Sequence, residues 1–184
     1  MNLINTKQQL LAEKFGYTEF RPGQEAIIDT ILNRENVLGI MPTGGGKSVC
    51  YQLPALMLDG LTLVISPLIS LMKDQVDQLN EMGIPATYIN STLSQEETNQ
   101  RFRQVGQGEV KLLYVAPERL TSFDFQELLR YVPLSLLAVD EAHCISQWGH
   151  DFRPSYLSVA ETIQQFDQKP PIVALTAALR YCLW

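Results

Sequence analysis

A chain of 184 residues, 46% of them hydrophobic, is long enough to close one globular core. Its net charge of −6 and pI near 4.9 argue against nucleic-acid binding driven by overall charge, so any DNA contact has to come from a local groove. No apolar run approaches the ~20 residues of a membrane span, the N-terminus lacks the pattern of a signal peptide, and three scattered cysteines (Cys50, Cys144 and Cys182, with no C-x-x-C) point to a reducing, cytoplasmic setting without disulfides or structural zinc.

In chain order, short apolar runs at Val37–Ile40, Thr62–Ser66, Ala86–Ile89, Lys111–Val115, Leu134–Val139 and Ile172–Leu175 have the length and content of buried parallel strands. Helical periodicity lies between them. Met72, Val76, Leu79 and Met82 recur at three and four, which predicts an amphipathic helix over Leu71–Met82 that stops before Gly83. Ser94-Gln95-Glu96-Glu97 is a capping box opening a helix toward Gln104. Tyr156, Val159, Ile163 and Phe166 mark a later helix. Strands alternating with helices predict an α/β domain, a parallel sheet with helices on both faces, whose ligands bind beyond the carboxyl ends of the strands.

The run Met41-Pro42-Thr43-Gly44-Gly45-Gly46-Lys47-Ser48 follows the first of these strands directly. A glycine-rich turn between strand and helix cradles phosphates. The glycines turn backbone N–H groups inward, Lys47 adds a point charge at the β- and γ-phosphates, and the Ser48 hydroxyl suits Mg²⁺. Thr43, Gly44, Gly45 and Gly46 supply the cradle. Met41 stands where the strict P-loop pattern has its first glycine, and an ordinary glycine-rich turn is the competing interpretation.

The strand Leu134–Val139 delivers Asp140-Glu141-Ala142-His143. Mg²⁺ takes oxygen ligands and keeps most of its waters, so one carboxylate, Asp140, suffices to hold it. Glu141 is then placed to orient or deprotonate an attacking water, since phosphoryl transfer needs little beyond positioning and charge neutralisation. Without the Lys47 loop, both acids read as a solvated strand end. His143 reads as a polar coupling residue beside the γ-phosphate. A zinc site of His143, Cys144 and His150 has too few ligands, wrongly spaced.

These motifs, in this order from about Leu10 to about Ala177, resemble the RecQ family of ATP-dependent DNA helicases in superfamily 2. The resemblance implies the first of two RecA-like P-loop NTPase motor domains, with ATP and Mg²⁺ as cofactors and single-stranded or partly duplex DNA as partner. Phe15-Gly16-Tyr17-Thr18-Glu19-Phe20-Arg21-Pro22-Gly23-Gln24 resembles the family's adenine-recognition motif. A Gln24 amide can pair with adenine N6 and N7, Tyr17 offers a stacking face, and Arg21 a planar cation for the other side. Without the resemblance, Phe15, Tyr17 and Phe20 read as core aromatics and Gln24 as a surface residue. Ser66-Pro67-Leu68-Ile69-Ser70-Leu71-Met72-Lys73-Asp74-Gln75 and Ala116-Pro117-Glu118-Arg119-Leu120 resemble two segments that touch the DNA backbone; the alternative is two loop-to-helix junctions with Ser70 as a cap. The loop Cys144–Pro154, carrying Trp148, Phe152 and Arg153, resembles the aromatic-rich loop that links DNA to ATP hydrolysis. Aromatic faces stack on any base, worth ~1–3 kcal/mol each; the other reading makes Trp148 and Phe152 core anchors.

The resemblance breaks at Ala178, where the family's Thr-Ala-Thr-like motif has a hydroxyl, and 179–184 is an atypical tail to a single domain spanning 1–184. The family's second motor domain supplies an arginine finger worth roughly 10³–10⁵ in rate. The expectation is therefore an ATP-dependent helicase motor domain, 3′ to 5′ and serving recombination and repair by resemblance. The isolated chain should bind ATP weakly, hydrolyse it poorly and unwind nothing. A non-catalytic nucleotide- or DNA-binding piece is the alternative. A transporter ATPase is disfavoured by the lack of a Leu-Ser-Gly-Gly-Gln signature. No membrane partner is expected, and oligomeric state has no sequence signal.

Overall fold

The computed structural model describes residues 3–145, 156–164 and 169–177. Helices α1 (Leu3–Phe15) and α2 (Gln24–Leu32) precede strand β1 (Val37–Ile40), and α3 (Val49–Met57) follows the glycine loop. Then come β2 (Leu61–Ile65), α4 (Ile69–Glu81), β3 (Ala86–Ile89), α5 (Gln95–Gly106), β4 (Leu112–Val115), a 3-10 turn at Pro117–Thr121, and α6 (Phe123–Tyr131). The chain continues through β5 (Leu134–Val139), a 3-10 turn at Ala142–Ile145, α7 (Leu157–Gln164) and β6 (Ile172–Thr176).

The strands form one six-stranded parallel sheet in the order β1-β6-β5-β2-β4-β3. Alternate residues of each strand face opposite ways, so β2 sends Val64 to one face and Leu61, Leu63 and Ile65 to the other. Helices α2, α3 and α4 bury Ile27, Ile31, Tyr51, Met72, Val76 and Leu79 against the first face. Helices α5, α6 and α7 bury Val105, Phe125, Leu129 and Val159 against the second. The sheet covered on both faces is therefore as expected. Each crossover returns the chain to a parallel neighbour, so the loops that follow β1, β2, β4 and β5 gather along one end of the sheet.

Several expectations shift on contact with the structure. The six strands stand within one residue of their predicted bounds. Helix α4 begins at Ile69, two residues before the predicted Leu71, with Leu68 as its N-cap residue; Ser70 sits inside the first turn and does not cap it. The capping box at Ser94 forms: the Ser94 hydroxyl accepts from the Glu97 N–H at 3.2 Å, and Glu97 Oε2 accepts from the Ser94 N–H at 2.8 Å. Strand β1 is not buried on both faces. It is an edge of the sheet, and Leu38 and Ile40 are 57% and 48% exposed. Its Gly39 is required by packing, because a Cβ there would lie 2.6 Å from Leu175 Cδ2 and 2.7 Å from Ile27 Cδ1.

Helices α1, α2 and α6 carry no sequence expectation. Helix α1 docks through Leu11 against Ile28, Val49 and Leu53, and its buried Lys7 pairs with Glu25, at 3.0 Å, and with Asp29 of α2. Phe15 and Phe20 pack partly buried beside this cluster, which is the core reading of those two aromatics.

Candidate functional site

The glycine loop and the acidic run leave neighbouring parts of the same sheet end. β1 pairs with β6 and β6 with β5, so Met41 and Asp140 emerge two strands apart. Gly44 and Gly46 both have φ of +77°, which a side chain resists, and the Gly45 N–H donates to the Pro42 carbonyl at 2.9 Å. These turns end in Ser48, the N-cap residue of α3. Thr43 stands exposed on the loop.

A cavity of about 390 Å³ opens at this end, and its lining includes Lys47, Ser48, Asp140, Glu141, Tyr17, Arg21 and Gln24. Asp140 continues β5, its N–H donating to the Ile65 carbonyl at 2.8 Å. Its carboxylate accepts the Glu141 N–H at 2.9 Å. Burial, followed by the charge of Glu141, raises Asp140 to a pKa of about 6, against the opposing pull of the Glu141 N–H, Lys47 and His143. Glu141 has φ of +49°, the left-handed region that non-glycine residues avoid. That turn carries the chain from the strand into the Ala142–Ile145 turn while leaving Glu141 in the cavity wall. His143 Nδ1 lies 3.2 Å from Glu141 Oε2 and 3.2 Å from Thr176 Oγ1, joining the acidic run to the end of β6. The Tyr156 hydroxyl, ahead of α7, donates to the Asp140 carbonyl at 3.0 Å.

In the cavity lining Gln24 is 3% exposed, not a surface residue. Its Oε1 accepts the Arg21 N–H at 2.8 Å and its Nε2 donates to the Gly46 carbonyl at 2.9 Å. Each end of the amide keeps a further valence, a second lone pair on Oε1 and a second N–H on Nε2, with which to meet adenine N6 and N7. Arg21 also donates to the Gly44 carbonyl and its guanidinium stands 5.8 Å from the Tyr17 ring centroid. A flat base between two such groups needs about 7 Å, twice a van der Waals contact. The Tyr17–Arg21 pair is thus closed on itself and has to open by about 1 Å to admit one. Tyr17 remains 47% exposed.

Ser66 and Pro67 are buried at the end of β2, and the Ser66 hydroxyl accepts the Leu68 N–H at 3.5 Å. Ser70 is exposed on the first turn of α4. Arg119 sits half-buried in the Pro117–Thr121 turn with its Nε unpaired. Trp148, Phe152 and Arg153 lie outside the described residues, as do Ala178 and the tail 179–184. Three residues in the site's frame, Lys7, Tyr51 and Tyr114, carry no sequence expectation, and a fourth, Gln75, is expected only within the Ser66–Gln75 segment and the Leu71–Met82 helix. Lys7 braces α1 on the helix that begins at Gln24; Tyr51, Gln75 and Tyr114 form a polar cluster behind Ser48. The only sequence signal for the latter was a tyrosine at an otherwise apolar strand position.

The sheet order, the glycine loop and the paired acids define a P-loop NTPase domain of the RecA-like helicase fold. Residues 21–181 match the DEAD/DEAH box helicase family, and the chain belongs to it. It is 55% identical over 176 residues to the ATP-dependent DNA helicase RecQ of Bacillus subtilis, a match covering 95% of this chain and 30% of that protein. The Haemophilus influenzae RecQ is 51% identical over 176 residues, 96% of this chain and 28% of the relative. The chain thus spans about a third or less of the length of these relatives, and the RecQ resemblance holds over nearly all of it. Among solved structures, the Mycobacterium smegmatis helicase Lhr bound to ssDNA and AMP-PNP superposes with a TM-score of 0.69 at 24% identity, covering 90% of this chain and 24% of that one, a likeness of fold.

Proposed function

We propose that this chain is the ATP-binding motor domain of a RecQ-type, ATP-dependent DNA helicase acting in the cytoplasm. The observation that carries the reading is the single cavity into which Lys47, Ser48, Asp140 and Glu141 all open. A triphosphate laid along the glycine loop meets the inward N–H groups and the Lys47 ammonium, which neutralise charge as it builds on the γ-phosphate. Ser48 and Asp140 offer one hydroxyl and one carboxylate, an all-oxygen donor pair of the kind Mg²⁺ accepts while keeping its waters. Held by these two side chains, the ion would supply further neutralisation of phosphate charge. Glu141, held by its left-handed backbone and by His143, orients the attacking water. Tyr17, Arg21 and Gln24 receive the adenine, Gln24 through the N–H and lone pair it does not spend on Gly46 and Arg21.

DNA is proposed to lie across the ends of β2 and β4, on Ser66, Pro67, Ser70 and Arg119, with Trp148, Phe152 and Arg153 stacking on bases. With a formal net charge of −6, such contact depends on this local strip. The longer relatives are named as ATP-dependent DNA helicases; ATP-driven unwinding, 3′ to 5′ and serving recombination and repair as the family resemblance implies, is proposed for the protein to which such a domain belongs. The test is ATP hydrolysis by this chain with and without single-stranded DNA. Slow turnover that DNA raises, and that Trp148→Ala leaves unstimulated while ATP still binds, supports the reading. Turnover indifferent to DNA reduces it to a nucleotide-binding module.

A further inference from the structure

A run of hydrogen bonds crosses the core and ends in the nucleotide cavity, and the reading above gives its last member no role. Tyr51, on the first turn of α3, and Tyr114 of β4 are each 1% exposed. The Gln52 Nε2 amide donates to the Tyr114 hydroxyl at 3.0 Å, the Tyr114 hydroxyl to that of Tyr51 at 3.4 Å, and the Tyr51 hydroxyl to Gln75 Oε1 of α4 at 3.1 Å. The two rings meet edge to face, with centroids 6.4 Å apart, so packing fixes the phenols as well.

The run has a direction. An amide Nε2 only donates, so the Tyr114 oxygen accepts from Gln52 and its single proton goes to Tyr51. Tyr51 then spends its own proton on Gln75, which turns its carbonyl oxygen toward the core. The Gln75 Nε2, with two N–H groups and no partner among the described residues, is left for the cavity whose lining Gln75 joins.

Topology decides what those donors meet. Helix α4 follows β2, and the end of β2 stands beside Asp140, whose N–H donates to the Ile65 carbonyl at 2.8 Å. The residues proposed to hold adenine are tied instead to the loop after β1, Arg21 and Gln24 donating to the Gly44 and Gly46 carbonyls. In the order β1-β6-β5-β2, Gln75 comes from the strand beyond Asp140 and Glu141, so it enters where the terminal phosphate is proposed to lie. Ionised phosphate oxygens only accept, which suits a side chain that presents only N–H groups.

We propose that Gln75 contacts the nucleotide directly, its Nε2 donating to an oxygen of the γ-phosphate, and so favours ATP over ADP. This rests on the phosphate-site reading above. Tyr51 holds the amide in the orientation that makes the contact.

The experiment is calorimetric titration of the chain in Mg²⁺ with a non-hydrolysable ATP analogue and, separately, with ADP. Gln75→Met keeps the length of the side chain and removes the donors. It is expected to weaken the ATP analogue about five- to tenfold and to leave ADP within about twofold. Gln75→Glu keeps an oxygen for Tyr51 to donate to and puts a carboxylate oxygen in place of Nε2, so the fold is retained while the ATP analogue weakens at least as much. That second variant separates loss of the donor from loss of the Tyr51 partner. Undiminished binding of the ATP analogue by either folded variant overturns the proposal. Equal weakening of the analogue and ADP in Gln75→Met also overturns it, because a merely structural glutamine affects both ligands alike. If the unsubstituted chain binds neither ligand, the phosphate-site reading fails, and this inference falls with it.

Discussion

Asp140 is the side chain whose chemistry departs most from its ordinary behaviour. With its pKa raised from 3.8 to about 6, the folded chain holds this proton more tightly than the unfolded chain. Below pH 3.8 the group has no effect on stability. As pH rises through 3.8 to about 6 the bare carboxylate increasingly disfavours the folded state, and above 6 the penalty is complete. A cation removes that penalty but needs the proton gone. Magnesium-dependent nucleotide binding should therefore strengthen from pH 5 to pH 7 and level off beyond. Asp140→Asn should flatten this profile and, in the nucleotide-free chain at pH 7, raise Tm by roughly 2–6 °C; a lower Tm would contradict the burial argument. Gln24 makes a second case. Its amide joins Arg21 to Gly46, so Gln24→Ala should weaken ATP binding about tenfold as well as relax the preference for ATP over GTP, measured by competition titration. An unchanged affinity with an unchanged preference would leave Gln24 a structural part only.

Secondary structure was legible where pattern and chemistry coincide. The strands announced themselves as apolar runs, and the helix α5 by its capping box, whose reciprocal bonds all form. Ser94→Ala should cost about 1 kcal/mol, read by urea denaturation. Helix α6 has no clear sequence signature although Phe125 and Leu129 bury its inner face, because Phe123 and Tyr131, 75% and 80% exposed, blur the periodicity. Helix α1 was hidden by its polar content: the residue that anchors it, Lys7, reads as solvent-facing until Glu25 and Asp29 are seen across from it. The sheet edges could not be read at all. Edge β3 is blunted by Asn80, which bonds both the N–H and the carbonyl of Ala86 at 3.0 and 3.1 Å, and by Arg101, which donates to the Tyr88 carbonyl at 2.6 Å and stacks on its ring. Strand order decides which strand is an edge, and order is a property of crossovers, not of composition.

Across the molecule, the phosphate loop and the acidic run lie about a hundred residues apart in sequence and become one site only because β6 is laid between β1 and β5. Sequence could name both halves, since each carries its own chemistry, and could not supply the bonds that join them: His143 to Thr176, Tyr156 to the Asp140 carbonyl, Gln24 to Gly46. Those contacts tie the ends of β5 and β6 and the start of α2 to a single cavity, so the description stands or falls on whether that cavity takes a nucleotide. The direct measurement is calorimetric titration of the chain with ATP in Mg²⁺, beside Lys47→Ala. Saturable binding of ATP that weakens at least about tenfold in Lys47→Ala is the predicted result. Equal binding by both proteins would contradict it.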